Sequence, residues 1–345
     1  MDKKSALKLV LKDKDRKSLP ILVKELIHCG LIEKEPPFYY FTSLLYKKSA
    51  PDYRNFIGHK AVDDISKEYF NVGNIDELEN KLTFEKILSE NDIHTPKILA
   101  YNNNRTLFLR NIKLDIDSIE ELVSVANSLI NESSTKSIFI KPVDGIGGAN
   151  SFKFTLEQTI SSKMKKLFNL LDKQSFIFQE TIEQDEEVNK IYSKSINTVR
   201  VHTFYDSTSN RVEILSALMR FGSHGSEVDN GSSGGFFIPV EMKTWSTKGL
   251  GLSYLKSGGK AYSAHPDSNV KLDNWSIPYG KQIEDEVIKA AKLFNKEFIG
   301  WDVAVTSSGP MIIEGNQNPH LIMLQMACGG IRNHDRYKEI FKEYI

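Results

Sequence analysis

Gly300-Trp301-Asp302-Val303-Ala304-Val305, Ser307-Ser308-Gly309-Pro310 and Met311-Ile312-Ile313-Glu314-Gly315-Asn316 read in series as strand, turn and strand. The flanking runs are apolar, and the Ser-Ser-Gly-Pro segment has turn chemistry. Alternate residues of a strand share a face, so Glu314 and Asn316 point the same way. A hairpin turning near Ser308 places Asp302 opposite Glu314. Two carboxylates and an amide oxygen then lie close together on strands that otherwise require burial. Such carboxylates tolerate each other when a cation sits between them. Hard oxygen donors suit Mg²⁺ or Mn²⁺ better than zinc. The alternative is a hairpin carrying solvated acids on its outer face.

The chain has 345 residues, enough for about two domains. Its 45 basic and 45 acidic residues balance, so the total does not mark a nucleic-acid or membrane-surface protein. Cys29 and Cys328 are far apart and outside any metal-binding spacing, which argues against a disulfide or a zinc site. Met1 to Lys17 is lysine-rich without an apolar signal core, and no apolar run approaches the ~18 residues of a membrane span. The expectation is a cytoplasmic protein with no membrane span and no nucleic-acid partner.

Upstream of the hairpin, residues 1–75 read as mostly helical, with Leu19 to Ile32 broken at Gly30 and the Phe38–Phe41 aromatics serving packing. A helix opens at Asn80-Lys81, where a lysine opposes the helix dipole unless it reaches an anion; a solvated lysine is the alternative. Asn102–Asn104 reads as a turn, and Ile119–Ile130 and Ile283–Phe294 as amphipathic helices. Ser137 to Pro142 is a buried strand delivering Lys141. It runs into Asp144-Gly145-Ile146-Gly147-Gly148-Ala149-Asn150-Ser151 and then strand Phe152-Lys153-Phe154. Glycines let successive backbone N–H groups converge on phosphate oxygens, and the lysine adds a point charge. The loop is neither a Walker A nor a Rossmann turn, because it returns to a strand.

Strand Ser175–Ile182 ends in Gln179-Glu180-Thr181-Ile182 ahead of an acidic segment containing Glu187. In Thr198–Phe204, alternation places Arg200 and His202 on one face and Val199 and Val201 on the other. Val212–Phe221 delivers Arg220. Arginines projected from a sheet need anions, either phosphates or local acids. His202 reads as structural. Asp229–Gly235 is a second glycine-rich loop, either a lid or a hairpin, and Gly258-Gly259-Lys260 is an ordinary turn.

Taken in order, Asn80-Lys81, Ile140-Lys141-Pro142, Asp144–Gly148, Gln179-Glu180, Asn197–Val201, Asp229-Asn230, Gly234-Gly235, Gly300-Trp301-Asp302 and Gly309 to Asn316 resemble the ATP-grasp superfamily. The likeness is nearest to the sugar-transfer-associated ATP-grasp proteins linked to bacterial cell-surface polysaccharide synthesis, over residues 75–335. It implies an α+β fold in which two α/β lobes with antiparallel sheets clasp ATP. The first lobe would span 76–182 with the glycine loop and the second 183–345 with the metal site, after the helical 1–75. Lys81 and Lys141 then look like phosphate-binding lysines, Gly145, Gly147 and Gly148 like the phosphate lid, Gln179, Glu180, Thr181 and Ile182 like the adenine-holding segment, and Glu187 like a ribose ligand. Asp302, Glu314 and Asn316 match ligands for one or two Mg²⁺ ions, with Mn²⁺ an alternative. Arg200 and Arg220 match positions near the γ-phosphate and an acyl-phosphate, with Lys141, Arg200 and Arg220 the catalytic set.

The resemblance implies a ligase that phosphorylates a carboxylate and passes it to an amine or a sugar-linked nucleophile, in association with polysaccharide assembly enzymes. A kinase of a sugar-related acceptor, or a partner protein with a degenerate nucleotide site, are the alternatives. Departures fall on the acceptor side: His320 stands where glycine is common, Tyr279 where tryptophan is usual, and the segment between Pro266 and Ile277 is Asp/Asn-rich. Asp302→Asn and Glu314→Ala are both expected to abolish turnover with the fold intact.

Overall fold

A computed structural model describes residues 2–70, 76–110, 112–144, 150–159, 161–231 and 234–345. Gly145, Gly147 and Gly148 lie outside the described residues, as do Ser232 and Ser233 of the second glycine-rich loop. The chain opens with helices α1 (Lys3–Lys12), α2 (Leu19–Glu33), α3 (Phe38–Thr42) and α4 (His59–Ile65). The α2 helix runs through Gly30 rather than breaking there, and ends at Lys34 in the left-handed region (φ 52). Glycine only weakens a helix, whereas the Pro36-Pro37 pair that follows cannot continue one.

Helices α5 (Asp76–Glu79) and α6 (Lys81–Ser89) lead into the first sheet. Its strands are β1 (Ile98–Asn103), β2 (Thr106–Leu109), β3 (Ile112–Asp115), β4 (Ile138–Pro142), β5 (Phe152–Phe154) and β6 (Phe176–Glu180), in the antiparallel order β3-β2-β1-β6-β4-β5. The β1–β2 turn falls at Asn104-Arg105, one step later than the asparagine run suggests. Buried Asn102 stays in the strand, where its Oδ1 accepts from the Phe176 N–H at 2.6 Å and its Nδ2 donates to the Asn104 carbonyl at 2.6 Å. Helices α7 (Ile119–Glu132) and α8 (Ser162–Leu170) cover one face, and Ile138, Ile140, Phe176 and Phe178 meet Leu122, Ala126 and Leu167 in its core. A Ser118/Glu121 capping box fixes the start of α7.

After β6 the chain crosses over. The Asp185 N–H donates to the Val305 carbonyl at 2.9 Å, and α9 (Glu186–Ile191) follows. The second sheet contains β7 (Thr198–Asp206), β8 (Arg211–Phe221), β9 (Phe236–Glu241), β10 (Ser246–Thr247), β11 (Gly251–Leu252), β12 (Ala261–Tyr262), β13 (Phe298–Thr306) and β14 (Gly309–Asn316). Its order is β12-β11-β9-β8-β7-β13-β14, with β10 on β9. Helix α10 (Gly280–Phe294) packs Ile283, Val287 and Phe294 on the face carrying Val199, Val201 and Trp301. Gly315 lets α5 and α6 approach, because a Cβ there would meet Leu78 at 2.7 Å and Phe84 at 3.1 Å. The opposite face holds Leu218 and Phe237 against Ala6, Val10, Leu22 and Tyr40 of the N-terminal helices and Met323 of α11 (Leu321–Cys328); α12 (Asp335–Ile340) closes the chain. No helix among the described residues is long and apolar enough to cross a membrane.

Candidate active site

The β13–β14 hairpin turns at Ser307-Ser308, and its register sets Asp302 against Glu314 and Gly300 against Asn316. On its other side, Asp302 pairs with Arg200 of β7. These side chains project away from α10 into a cleft of about 460 Å³. The facing wall is the first sheet, where Phe139 and Lys141 alternate with buried Ile138 and Ile140. Lys81, at the first position of α6, joins this wall: its Nζ donates to the Val143 carbonyl at 3.2 Å. The cleft therefore brings together Lys81, Lys141, Arg200, Arg220, Asp302, Glu314 and Asn316, which are scattered across the sequence.

The two arginines are decided in favour of local acids. Arg200 grips Asp302 with two bonds, Nε to Oδ1 at 2.5 Å and Nη2 to Oδ2 at 2.9 Å. Arg220 reaches both oxygens of Asp302 at 3.3 Å and donates to Asp229 at 2.8 and 3.2 Å. Asp229 also accepts from the Thr198 N–H and hydroxyl. Arg200–Asp302 and Arg220–Asp229 form a quartet of two cations and two anions, nearly closed to solvent. Burial pushes the Asp302 carboxyl up in pKa, but Arg200 and Arg220 outweigh it and hold the group below its ordinary value. Burial opposes the Arg220 charge, and Asp229 and Asp302 more than restore it. A Cβ at Gly300 would stand 3.3 Å from the Arg200 side chain and from Pro319, so glycine leaves the guanidinium its path.

With the quartet neutral, Lys81, Lys141, Asp144, Lys256 and Glu314 are the other charged residues lining the cleft among the described residues. Burial pushes Lys141 down to about 8, against the pull of Glu314 and with a further push from Lys81. Glu314 makes no ion pair or hydrogen bond among the described residues. Asn316 donates its Nδ2 to the Gly300 carbonyl at 3.3 Å, which turns its Oδ1 the other way. Two oxygen donors on one strand face, without partners among the described residues, fit a hard cation such as Mg²⁺. The Asp302 oxygens, engaged by arginines, are the least available of the three.

Other positions fall elsewhere. Gln179 is buried on the same side of the first sheet as its register partner Phe139, and Glu180 pairs with Ile138. Thr181 gives its hydroxyl to a network with Ser137 and Thr135, and with Ile182 it begins the crossing between the sheets. None of these four lines the cleft. Neither does Glu187, which sits in the first turn of α9 and pairs with Lys190 in solvent; a capping-region acid is drawn to the nearest helix lysine. His202 is structural. Its Nε2 donates to the Pro319 carbonyl at 3.2 Å, so Nδ1 accepts from Ser216 at 3.0 Å, and burial with Arg200 nearby pushes its pKa down to about 3. Asp229, Tyr254 and Lys256 line the cleft without having been given roles. Asp229 was signalled by its glycine-rich loop and by the Asp229-Asn230 step of the resemblance, without a role, and Tyr254 and Lys256 precede what looked like an ordinary turn.

Two antiparallel sheets facing each other across a cleft of lysines and hard-oxygen acids define an ATP-grasp protein. The profile of the sugar-transfer associated ATP-grasp family matches residues 62–336, and the chain belongs to that family. Among solved structures, the chain is similar to D-alanyl-alanine synthetase A from Vibrio cholerae, at 12% identity and a TM-score of 0.46, covering 77% of this chain and 63% of that one. It is similar to VanG D-Ala:D-Ser ligase from Enterococcus faecalis, at 16% identity and 0.45, covering 77% and 62%. It is also similar to the ATP-grasp ligase PsnB, solved with Mg, ADP and a phosphomimetic precursor variant, at 13% identity and 0.41, covering 77% and 59%. The chain spans less than two thirds of the length of each of these. A search of curated protein sequences gives no match.

Proposed function

We propose that the protein is an ATP-dependent ligase that joins a carboxylate to an amine or another nucleophile through an acyl-phosphate, acting in the cytoplasm in cell-surface polysaccharide synthesis. The observation that carries this reading is the split of the cleft: lysines on the first-sheet wall, and oxygen donors Glu314 and Asn316 on the second. In the first step a carboxylate oxygen of the acceptor attacks the γ-phosphorus, and the bond to the bridging oxygen of ADP breaks. In the second step the nucleophile attacks the acyl carbon, phosphate leaves, and the proton of the nucleophile passes to solvent or phosphate. Lys81 and Lys141 bind phosphate oxygens and offset the charge that develops on them. Glu314 and Asn316 would hold Mg²⁺, which neutralises phosphate charge when bound; the Arg200–Arg220 pair keeps Asp302 oriented beside them. The family association supports a uronic acid or sugar-linked acceptor.

Hydroxylamine tests the reaction type. With Mg²⁺-ATP and the correct carboxylic acid, it should be converted to a hydroxamate in step with ADP release. ADP release without hydroxamate would replace the ligase reading with a kinase.

Lys141 predicts a pH dependence. Its free-enzyme pKa of about 8 lies below the ordinary 10.5, so its charge is present below pH 8 and lost above. kcat/KM for ATP, which reports the free enzyme, should fall as pH rises through about 8, and Lys141→Met should abolish that limb. Stability moves the other way. Between about 8 and 10.5 the unfolded chain binds the extra proton, so unfolding becomes harder with rising pH in that window. A kcat/KM profile flat through pH 9 would remove Lys141 from phosphate binding.

A further inference from the structure

The balanced total charge hides a local imbalance. Of the fourteen large hydrophobic side chains exposed on the described surface, nine lie within residues 7–32. On α2, Leu19, Val23, Ile27 and Leu31 are 50%, 55%, 60% and 71% exposed. A spacing of four residues stacks them into one outward ridge. The opposite side of α2 places Leu22, Leu26 and Cys29 in the core, so the helix is apolar on both sides while only one is covered. On α1, Leu7 and Leu11 are each 47% exposed. A continuous apolar face of this kind on a soluble surface marks a contact site.

The charges around it are sorted by sign. The acids turn inward: Asp13 pairs with Lys47 at 2.5 Å, Glu25 with Lys17 at 2.8 Å and Glu33 with Arg332 at 2.8 Å. Asp2 caps α1, and Asp15 faces Lys47 at 3.9 Å. By contrast Lys3, Lys4, Lys8, Lys12, Lys14 and Lys24 form no ion pair among the described residues. On α1 the turn positions of Lys4, Lys8 and Lys12 adjoin those of Leu7 and Leu11. The outward face is thus apolar with an uncompensated basic border.

We propose that the α1–α2 surface docks on the headgroup region of an anionic lipid bilayer. A convex apolar ridge inserts at the headgroup boundary, and flexible lysines beside it meet lipid phosphates, the pairing that holds interfacial helices. A protein partner would need a groove for the ridge and acids for the lysines; a bilayer supplies both without shape matching. The buried side of α2 shares its core with Phe237 and Met323, which also line the cleft, so the docked surface lies beside the cleft, on the same face of the second sheet.

Co-sedimentation of the full chain with vesicles tests this. The protein should pellet with phosphatidylcholine vesicles containing phosphatidylglycerol and stay in solution with phosphatidylcholine alone. Raising the salt from 0.1 M to 1 M, which shortens the screening length from about 10 to about 3 Å, should release it. Lys4→Gln/Lys8→Gln/Lys12→Gln should weaken binding on the order of a hundredfold, about fivefold per lysine. Ile27→Glu/Leu31→Glu should abolish pelleting, with unchanged circular dichroism and Tm because both side chains already face water. Three outcomes would overturn the proposal: no pelleting of the folded wild type, equal binding to neutral vesicles, or a wild-type dimer in sedimentation equilibrium that Ile27→Glu/Leu31→Glu turns into a monomer. The last would assign the face to a second copy of the chain.

Discussion

Glu314→Ala is expected to lower ADP release on the order of a thousandfold while Tm stays within about 2 °C of wild type. The carboxylate has no ion pair or hydrogen bond to lose among the described residues, and its residue is half-buried on an edge strand of the second sheet. Deleting it therefore takes away no internal partner. What it removes is the freer carboxylate of the Asp302/Glu314/Asn316 set, the one best placed to hold Mg²⁺ against the phosphates. It also removes the group that supports the Lys141 charge, so that pKa, already down at about 8, would drop further. Two losses in one cleft point the same way for turnover. ADP release and thermal unfolding measured on the same preparation test this, and near-wild-type turnover would dismiss Glu314 as the metal ligand.

Asp302→Asn is expected to fail on both counts. The sequence alone suggested that this change would spare the fold, because it treated Asp302 as a metal ligand and gave it no protein partner to lose. The structure corrects that. Asp302 is 5% exposed and carries two bonds from Arg200 and two from Arg220. Asparagine keeps the shape and removes the charge, leaving two buried guanidiniums with Asp229 as their remaining acid. Breaking a buried pair from one side costs about 3–5 kcal/mol. In a urea titration, Asp302→Asn should unfold well before wild type. Adding Arg200→Met should recover part of the loss, because the pair then goes together and no uncompensated charge stays inside. If Asp302→Asn unfolded at the wild-type urea concentration, the quartet would be dispensable to stability. The comparison also guards against a misreading, since low activity in Asp302→Asn reflects a damaged sheet as well as a damaged site.

Local patterns were enough for much of the architecture. The period-2 alternation in Val199-Arg200-Val201-His202 assigned the faces of β7, which is why Val199 and Val201 meet α10 while Arg200 turns to the cleft. The Ser307–Pro310 turn set the register that opposes Asp302 and Glu314. A strand ending in Lys141 anticipated a lysine on the cleft wall. Each of these rests on neighbours within one or two elements, where covalent geometry leaves few choices. The partners of the arginines were decided elsewhere. Asp229 is nine residues from Arg220 and Asp302 is 102 from Arg200, and only the packing of β7 between β8 and β13 closes them into a quartet. The same holds for the local partner of Glu187, which the resemblance offered as a ribose ligand and which α9 sets beside Lys190. It holds again for α2, which the sequence marked only as an apolar run in a helical region. Its pattern shows that the helix is apolar on both sides, but only the assembled molecule shows that one of those sides has no neighbour among the described residues, because coverage depends on every other element that packs around the helix.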